Sequence, residues 1–138
     1  MTVVSGEAGG FPLTDMKVTV RGATADGSEG ALGPALVMAA RTALEEAILQ
    51  AGRVVLEPVM LLEINTPSET LGNVIADLKS RHGDVVQVES DASGGAQIVA
   101  KAPLAGLFGY ASSLRSMSAG RGEVVAEPMA YCEKGRLC

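Results

Sequence analysis

The stretch Leu104–Gly122, LAGLFGYASSLRSMSAGRG, is predicted to form a helix with a proline before it and glycines at its end. Pro103 precedes it, and proline is favoured at a helix start because its missing N–H is not needed there. Gly120 and Gly122 close it, and glycine accepts the left-handed backbone that ends many helices. The inward positions recur every three to four residues, at Leu107, Ala111, Leu114 and Ser118.

An earlier segment, TPSETLGNVIADLKSRHG at residues 66–83, repeats this organisation. Thr66 and Glu69 have the spacing of a capping box, with Pro67 at the first helical position. Gly83 is predicted to end this helix, after the cations Lys79, Arg81 and His82, which suit the negative end of the helix dipole. The apolar stripe follows helical spacing, at Leu71, Val74, Ile75 and Leu78.

Apolar or alternating segments flank both predicted helices. They predict strands from Pro58 to Asn65 and at residues 84–89, 97–102 and 123–132. The order strand, helix, strand, strand, helix, strand over residues 54–133 predicts an α+β ferredoxin-like βαββαβ domain. Such a domain has a four-stranded antiparallel sheet with both helices on one face. Residues 134–138 are predicted to be a tail.

The first part of the chain predicts a partial α/β unit at residues 11–53, after a flexible lead-in at residues 1–10. Alternation predicts a strand at Leu13–Arg21, four glycines predict a loop at Gly22–Gly33, and helical spacing predicts a helix at Pro34–Ala51 ended by Gly52. One strand and one helix bury too little surface to be stable alone. The sequence leaves open whether the second domain, another chain or upstream residues complete the unit.

Composition excludes several classes of function. The chain has 138 residues, a net charge of −5 and 3% aromatic residues without tryptophan. This composition argues against base stacking on aromatic platforms and against binding of nucleic acid by bulk positive charge, but it does not exclude a local basic patch. No apolar run reaches the roughly 18 residues of a membrane span, and the N-terminal residues do not resemble a signal peptide, so we expect no membrane partner.

Motifs of catalysis and cofactor binding are absent from the sequence. There is no GxxxxGK[ST], GxSxG, HExxH or CxxC pattern. The chain is therefore predicted to have no catalytic, cofactor or metal site. Cys132 and Cys138 are interpreted as neither a disulfide framework nor a metal cluster, which favours a reducing, cytoplasmic location. His82 fits a cation at a helix end better than a general base.

Arg115 lies off the predicted apolar stripe and is expected to point outward. The hydroxyls near it could hold phosphate or an RNA backbone together with its guanidinium, and they belong to Ser112, Ser113, Ser116 and Ser118. An ordinary solvated helix face explains the same residues. With a net charge of −5, RNA binding here requires a shape-specific contact rather than bulk attraction.

Three segments together resemble the C-terminal part of bacterial-type elongation factor G, from Phe11 to Glu133. They are GFPLTDMKVTV, LEPVMLLEINTPSETLGNVIADLKSRHG and PLAGLFGYASSLRSMSAGRGE. The family is a multidomain translational GTPase that moves tRNA and mRNA on the ribosome and, with the recycling factor, splits ribosomes. The resemblance implies that residues 11–52 are the second half of its fourth domain and residues 54–133 its ferredoxin-like fifth domain.

The resemblance also implies what this chain lacks. GTP and Mg²⁺ are bound in the family by a G domain that is missing here, so the chain is not expected to be an enzyme. It is interpreted as a fragment, a truncated gene product or part of a divergent paralogue. The expected location is the cytoplasm.

Site residues follow from the resemblance. The matched LRS motif places Arg115 and Ser116 against the sarcin–ricin loop of large-subunit RNA, near the stalk base and its protein, although relatives often carry glutamine at the position of Ala119. The implied RNA-binding set also includes Arg81, His82 and, at its periphery, Arg121.

A second implied site is the tip loop, which in the family reaches tRNA and mRNA at the decoding centre. It corresponds here to the acidic, glycine-rich residues Asp26, Gly27, Ser28 and Glu29. Relatives often carry a histidine in this loop. Its absence here suggests a divergent paralogue.

Two other interpretations remain open from the sequence. Ferredoxin-like domains also serve as small-molecule regulatory or oligomerisation domains, because a fold does not determine a function. A folded remnant without function is equally compatible with a single sequence.

Overall fold

A computed structural model of the chain describes residues 11–25 and 32–138. The chain divides into two compact units, Met1–Ala51 and Gly52–Cys138, and each is described by itself. The first contains helix α1. The second contains four strands and two helices. In chain order the elements are α1 (Leu32–Ala51), β1 (Leu56–Pro67), α2 (Leu71–Ser80), β2 (Asp84–Ser90), β3 (Gly95–Pro103), α3 (Tyr110–Met117) and β4 (Glu123–Glu133).

The second unit is a four-stranded sheet with the strand order β2-β3-β1-β4. All three neighbouring pairs are antiparallel, and central Ile64 of β1 lies opposite Ile98 of β3 and Val124 of β4. A βαββαβ chain with its first and third strands at the centre is ferredoxin-like. The predicted α+β fold class is therefore confirmed.

Alternate residues of the central strands face the helices and form the core. Leu62 and Ile64 of β1 and Ile98 of β3 have no exposed surface. Val74 and Leu78 of α2, which the predicted stripe includes, are also fully buried in this cluster. Because successive strand residues point to opposite faces, the other residues of β1 lie on the face away from the helices.

The two helices begin later than predicted, and the capping box is not formed. Pro67 is the last residue of β1, with extended backbone at φ −61° and ψ 141°. A 3-10 turn at Ser68–Thr70 separates it from α2, whose N-cap Thr70 makes no side-chain capping bond. The Ser68 hydroxyl instead donates to the Gly95 carbonyl at 3.0 Å, because the strand end brings β3 within its reach.

The second half repeats this arrangement. Pro103 is the last residue of β3, with φ −66° and ψ 138°, and a 3-10 turn at Leu104–Leu107 follows. Helix α3 begins only at Tyr110, after Gly109 in the left-handed conformation. The similarity of the two halves is thus real, but in both the proline ends a strand and does not start a helix.

The end of α2 also differs from the prediction. The left-handed residue is His82, with φ 63°, and not Gly83. The Gly83 N–H donates to Leu78 O at 2.8 Å and the His82 N–H to Lys79 O at 3.1 Å, the two bonds of a Schellman motif. Gly83 is needed for space, because a Cβ there would lie 3.0 Å from Leu78 O and 3.3 Å from Lys101 O.

In the first unit, the predicted helix is confirmed and the predicted strand is wrong. Helix α1 begins two residues before Pro34 and ends at Ala51, and Gly52 follows in the left-handed conformation with φ 80°. Residues 13–25 form no strand, since a strand requires a hydrogen-bonded neighbour and the described residues offer this segment none. The predicted lead-in and the tip-loop residues Asp26, Gly27, Ser28 and Glu29 lie outside the described residues.

The interpretation of the two cysteines is wrong as well. Cys132 and Cys138 form a disulfide with their Cα atoms 5.8 Å apart. The turn at Gly135, with φ 86°, brings the chain back to the sheet after β4. None of the described helices is long and apolar enough to cross a membrane.

Candidate nucleic-acid interface

Helix α3 presents Arg115 and Ser116 to solvent because its opposite side is held in the core. Tyr110 is 2% exposed and Leu114 is fully buried. Arg115 and Ser116 are exposed, as expected from the sequence. Ala111, which the predicted stripe placed inward, is exposed, and Tyr110 takes its place in the core. An aromatic residue one position earlier, directly after a glycine, was the signal for this shift.

Three polar side chains share the exposed side of α3. Ser112, Arg115 and Ser116 are spaced at i, i+3 and i+4, so they lie on adjacent turns of one helix face. All three are exposed. This face therefore offers a planar guanidinium with two hydroxyls beside it, a combination that suits phosphate oxygens.

The other hydroxyls of the predicted cluster are used inside the domain. Ser118 is fully buried; its hydroxyl donates to Leu114 O and accepts from the Gly122 N–H, both at 2.7 Å. Ser113 accepts a hydrogen bond from Arg81 at 2.9 Å. Only Ser112 and Ser116 of the four predicted hydroxyls are therefore available to a partner.

Arg81 holds the end of α2 to the beginning of α3. Its Nε donates to Asp77 Oδ2 at 2.9 Å, and its Nη1 donates to the carbonyls of Gly106 at 3.0 Å and Phe108 at 3.2 Å. Its Nη2 donates to the Ser113 hydroxyl. These contacts use up most of the N–H groups of a guanidinium. With 20% of its side chain exposed, Arg81 is primarily a structural residue that positions α3.

Gly106 makes this arrangement possible. A Cβ at this position would lie 2.5 Å from the Arg81 carbonyl oxygen, so the backbone could not approach as it does. The Arg81 guanidinium also lies 5.3 Å from the centre of the Tyr110 ring, within cation–π range. The segment before α3, the start of α3 and the end of α2 thus form one packed junction.

Tyr110 belongs to this junction, and its buried hydroxyl is not accessible to a ligand. Its hydroxyl is buried and has no hydrogen-bond partner among the described residues. The pKa of Tyr110 is raised to about 12, chiefly by burial and also by the Asp77 carboxylate, while Arg81 opposes the increase. The phenol is therefore neutral over the physiological pH range.

His82 and Arg121 complete the predicted RNA-binding set and lie at its edges. His82 is exposed at the left-handed end of α2. Arg121 forms an exposed ion pair with Glu69, which links the loop after α3 to the turn before α2. Exposed ion pairs contribute little to stability, so Arg121 can exchange Glu69 for another anion at small cost.

Charge is distributed unevenly between the two sides of the sheet. The helix layer and its adjoining turns carry four cations, Lys79, Arg81, Arg115 and Arg121, against the two carboxylates of Glu69 and Asp77. By the strand register, the strand residues of the opposite sheet face include six carboxylates against the single amine of Lys101, and they belong to Glu57, Glu63, Asp84, Glu89, Glu123 and Glu127. A polyanion is therefore attracted to the helix side and repelled from the sheet side.

A cleft of about 540 Å³ lies beside the turn between β2 and β3 and is lined mostly by polar residues. The Asp91 carboxylate in this cleft is already hydrogen-bonded within its own turn. It accepts from the Ser93 N–H, the Ser93 hydroxyl and the Gly95 N–H at 2.6–2.8 Å. The hydrogen bonds from Ser93 and Gly95 hold the pKa of Asp91 below its usual value. Among the described residues, no three His, Cys, Asp or Glu side chains converge as a metal site would require.

Taken together, these features define a ferredoxin-like α+β domain with a cationic helix side and an acidic sheet face. Residues 54–134, more than half of the chain, match the family model of the elongation factor G C-terminus. The chain therefore belongs to the elongation factor G C-terminal family. This confirms the resemblance inferred from the sequence.

A solved structure supports the same assignment. The crystal structure of ttk003000868 from Thermus thermophilus is 31% identical in sequence to this chain, with a TM-score of 0.55. The match covers 58% of this chain and 12% of that one. The chain thus spans a small part of a much longer relative.

We predict that Arg81→Lys lowers the free energy of unfolding by about 1–3 kcal/mol, because lysine cannot serve two carbonyls, a hydroxyl and a carboxylate at once. Arg115→Lys is the matched control and should change it by no more than about 0.5 kcal/mol, since Arg115 is exposed. Urea unfolding of both variants measures the difference. Equal effects would show that Arg81 does not hold the junction.

The raised pKa of Tyr110 predicts a loss of stability in alkaline solution. The folded state favours the neutral phenol, so this contribution is complete below the unfolded pKa of 10.0 and is lost as pH rises towards about 12. Tyr110→Phe should remove this loss and, because the hydroxyl has no partner, cost little stability at neutral pH. Tyr131→Phe, at a position 72% exposed, is the control. Denaturant unfolding at several pH values measures the free energy of unfolding, which should fall less steeply above pH 10 for Tyr110→Phe than for the unchanged chain or Tyr131→Phe. The same fall in all three proteins would contradict the prediction.

Proposed function

We propose that this chain is the ribosome-binding module of an elongation factor G-type translational GTPase, and that it contacts the sarcin–ricin loop of large-subunit RNA through Arg115 and Ser116. Family membership supports the choice of partner. The observation that carries the choice of residues is the exposed face of α3, where Ser112, Arg115 and Ser116 lie together without internal hydrogen bonds among the described residues.

The junction below α3 supports this choice of residues. Recognition of a folded RNA loop requires side chains held in a fixed position relative to the domain. Tyr110 and Leu114 anchor one side of α3 in the core, and Arg81 fixes the segment that precedes it. Arg115 therefore projects from a helix whose position is determined on two sides.

Charge determines the orientation of binding in this proposal. The net charge of −5 repels RNA from the molecule as a whole. The helix layer carries an excess of cations, so it approaches the RNA while the acidic sheet face is turned away. Because few cations face the RNA, binding should depend less steeply on salt than it does for strongly basic proteins.

The finer functions belong to the same proposal and rest on family membership. They are the movement of tRNA and mRNA, ribosome recycling, contact with the stalk-base protein, and contact of the tip loop with the decoding centre. GTP and Mg²⁺ would be bound by a G domain elsewhere in the parent protein, since this sequence contains no phosphate-binding loop. The polar cleft beside Asp91 does not favour the alternative of a small-molecule regulatory domain, because the Asp91 carboxylate is held by its own turn and Glu89 is hydrogen-bonded to Gln87.

Binding to isolated large ribosomal subunits tests the proposal. We expect Arg115→Glu to weaken binding by at least about tenfold, through the loss of one charge-assisted contact and its replacement by repulsion. Ser116→Ala should weaken it by a few-fold. Co-sedimentation or surface-based binding at physiological salt measures these changes.

Arg136→Glu is the matched control, because it makes the same change of charge at a position 77% exposed on the segment after β4. It should bind like the unchanged chain. Equal binding by the unchanged chain and Arg115→Glu would remove Arg115 from the interface. Equal losses in Arg115→Glu and Arg136→Glu would mean that net charge, and not a specific site, controls binding.

A further inference from the structure

One end of the sheet face opposite the helices is buried, although both described helices of this unit pack on the other face. Val59 is fully buried and Cys132 is 3% exposed, yet neither belongs to the core cluster under the helices. The register places both on the opposite face: Val59 alternates with the core residues of β1, and Cys132 pairs with Glu57. Another segment must cover them.

Residues 134–138, named the strap from here on, cross this end of the sheet face. The Lys134 N–H donates to Val55 O at 2.8 Å and the Gly135 N–H donates to Glu57 Oε1 at 2.9 Å. Lys101 of β3 donates from Nζ to the Cys138 carbonyl at 2.9 Å. Since β1 lies between β3 and β4, the strap reaches across β1.

The disulfide between Cys132 and Cys138 is the covalent part of this attachment. The two residues are six positions apart, and their Cα separation of 5.8 Å lies in the usual range for disulfides. The two cysteines differ in environment, because Cys132 is buried under the strap whereas Cys138 is exposed. An attacking thiol therefore meets Cys138 first.

We propose that Cys132 and Cys138 form a redox-active site that exchanges with low-molecular-weight thiols and disulfides, and that its state decides whether the strap covers the sheet. Exposed disulfides are the ones that exchange readily, whereas deeply buried ones persist. The hydrogen bonds of the strap lie at the exposed end of the sheet and are too few to keep it ordered once the covalent link is gone. Reduction then releases the strap from this end of the sheet and exposes Cys132.

Reduction of the Cys132–Cys138 disulfide by a thiol RSH takes place in two steps. A thiolate RS⁻ attacks Sγ of Cys138, the protein S–S bond breaks, and its electron pair goes to Sγ of Cys132, which takes up a proton. A second thiolate attacks the R sulfur of the mixed disulfide, forms RSSR and releases the Cys138 thiolate, which is protonated in turn. Two thiols are oxidised to one disulfide and the protein disulfide is reduced to two thiols; closure follows the same steps in reverse.

Equilibration of the 138-residue chain with mixtures of reduced and oxidised glutathione tests the redox site. Quenching with an alkylating reagent and intact mass measurement gives the fraction with two free thiols. We expect this fraction to change from nearly none to nearly all within the range of glutathione ratios found in cells. A chain that stays oxidised at the most reducing ratio, or stays reduced at the most oxidising one, would overturn the proposal.

Trypsin cleavage after Lys134 and Arg136 tests the strap, because both bonds lie within it. Reduction of the unchanged chain should accelerate cleavage by at least about tenfold, as expected when a held segment becomes mobile. Cys138→Ser removes an exposed side chain, so the sheet should fold as before, and this variant should be cut at the fast rate with or without reductant.

Arg53, an exposed residue before β1, provides the internal reference, and its cleavage should not respond to reductant. Equal cleavage rates after Lys134 and Arg136 in the oxidised and reduced chains would overturn the role of the strap. Neither measurement involves ribosomes, so its result is independent of the proposed function.

Discussion

One side chain, Arg81, fixes the segment that leads into α3. Its guanidinium connects the last turn of α2, through Asp77, to two backbone carbonyls and a hydroxyl of the α3 region. Those carbonyls, of Gly106 and Phe108, lie before the first turn of α3, so Arg81 supplies hydrogen-bond partners that the helix itself does not. The exposed face of α3 is consequently a defined surface, and a side chain that the family resemblance assigned to RNA acts mainly within the protein.

Periodicity and the order of elements were sufficient to predict the fold of the second unit. Apolar strands such as Leu56–Pro67 and the stripes of α2 have the two repeat lengths that distinguish strands from helices. The helix starts were mispredicted because Pro67 and Pro103 suit an extended residue at a strand end as well as they suit a first helical turn. The segment Leu13–Arg21 alternates like a strand, but alternation does not supply a neighbouring strand.

The candidate site was predictable only in part, for a related reason. The exposure of Arg115 follows from the spacing of one helix. The internal roles of Ser113 and Ser118 do not, since they depend on contacts made after folding, and the Ser113 partner is 32 residues away. The disulfide was not predicted, because the number of cysteines indicates only the expected redox environment of a chain. Whether the sulfur atoms of Cys132 and Cys138 come together depends on the turn at Gly135.

The central claim is that a fixed helix face carrying Arg115 contacts the sarcin–ricin loop. Chemical footprinting of large-subunit RNA in the presence of the 138-residue chain tests it most directly, because it reports the position of contact and not only its strength. We predict protection of the sarcin–ricin loop by the unchanged chain and loss of that protection with Arg115→Glu. Protection confined to other parts of the RNA, or a sarcin–ricin footprint that survives Arg115→Glu, would contradict it.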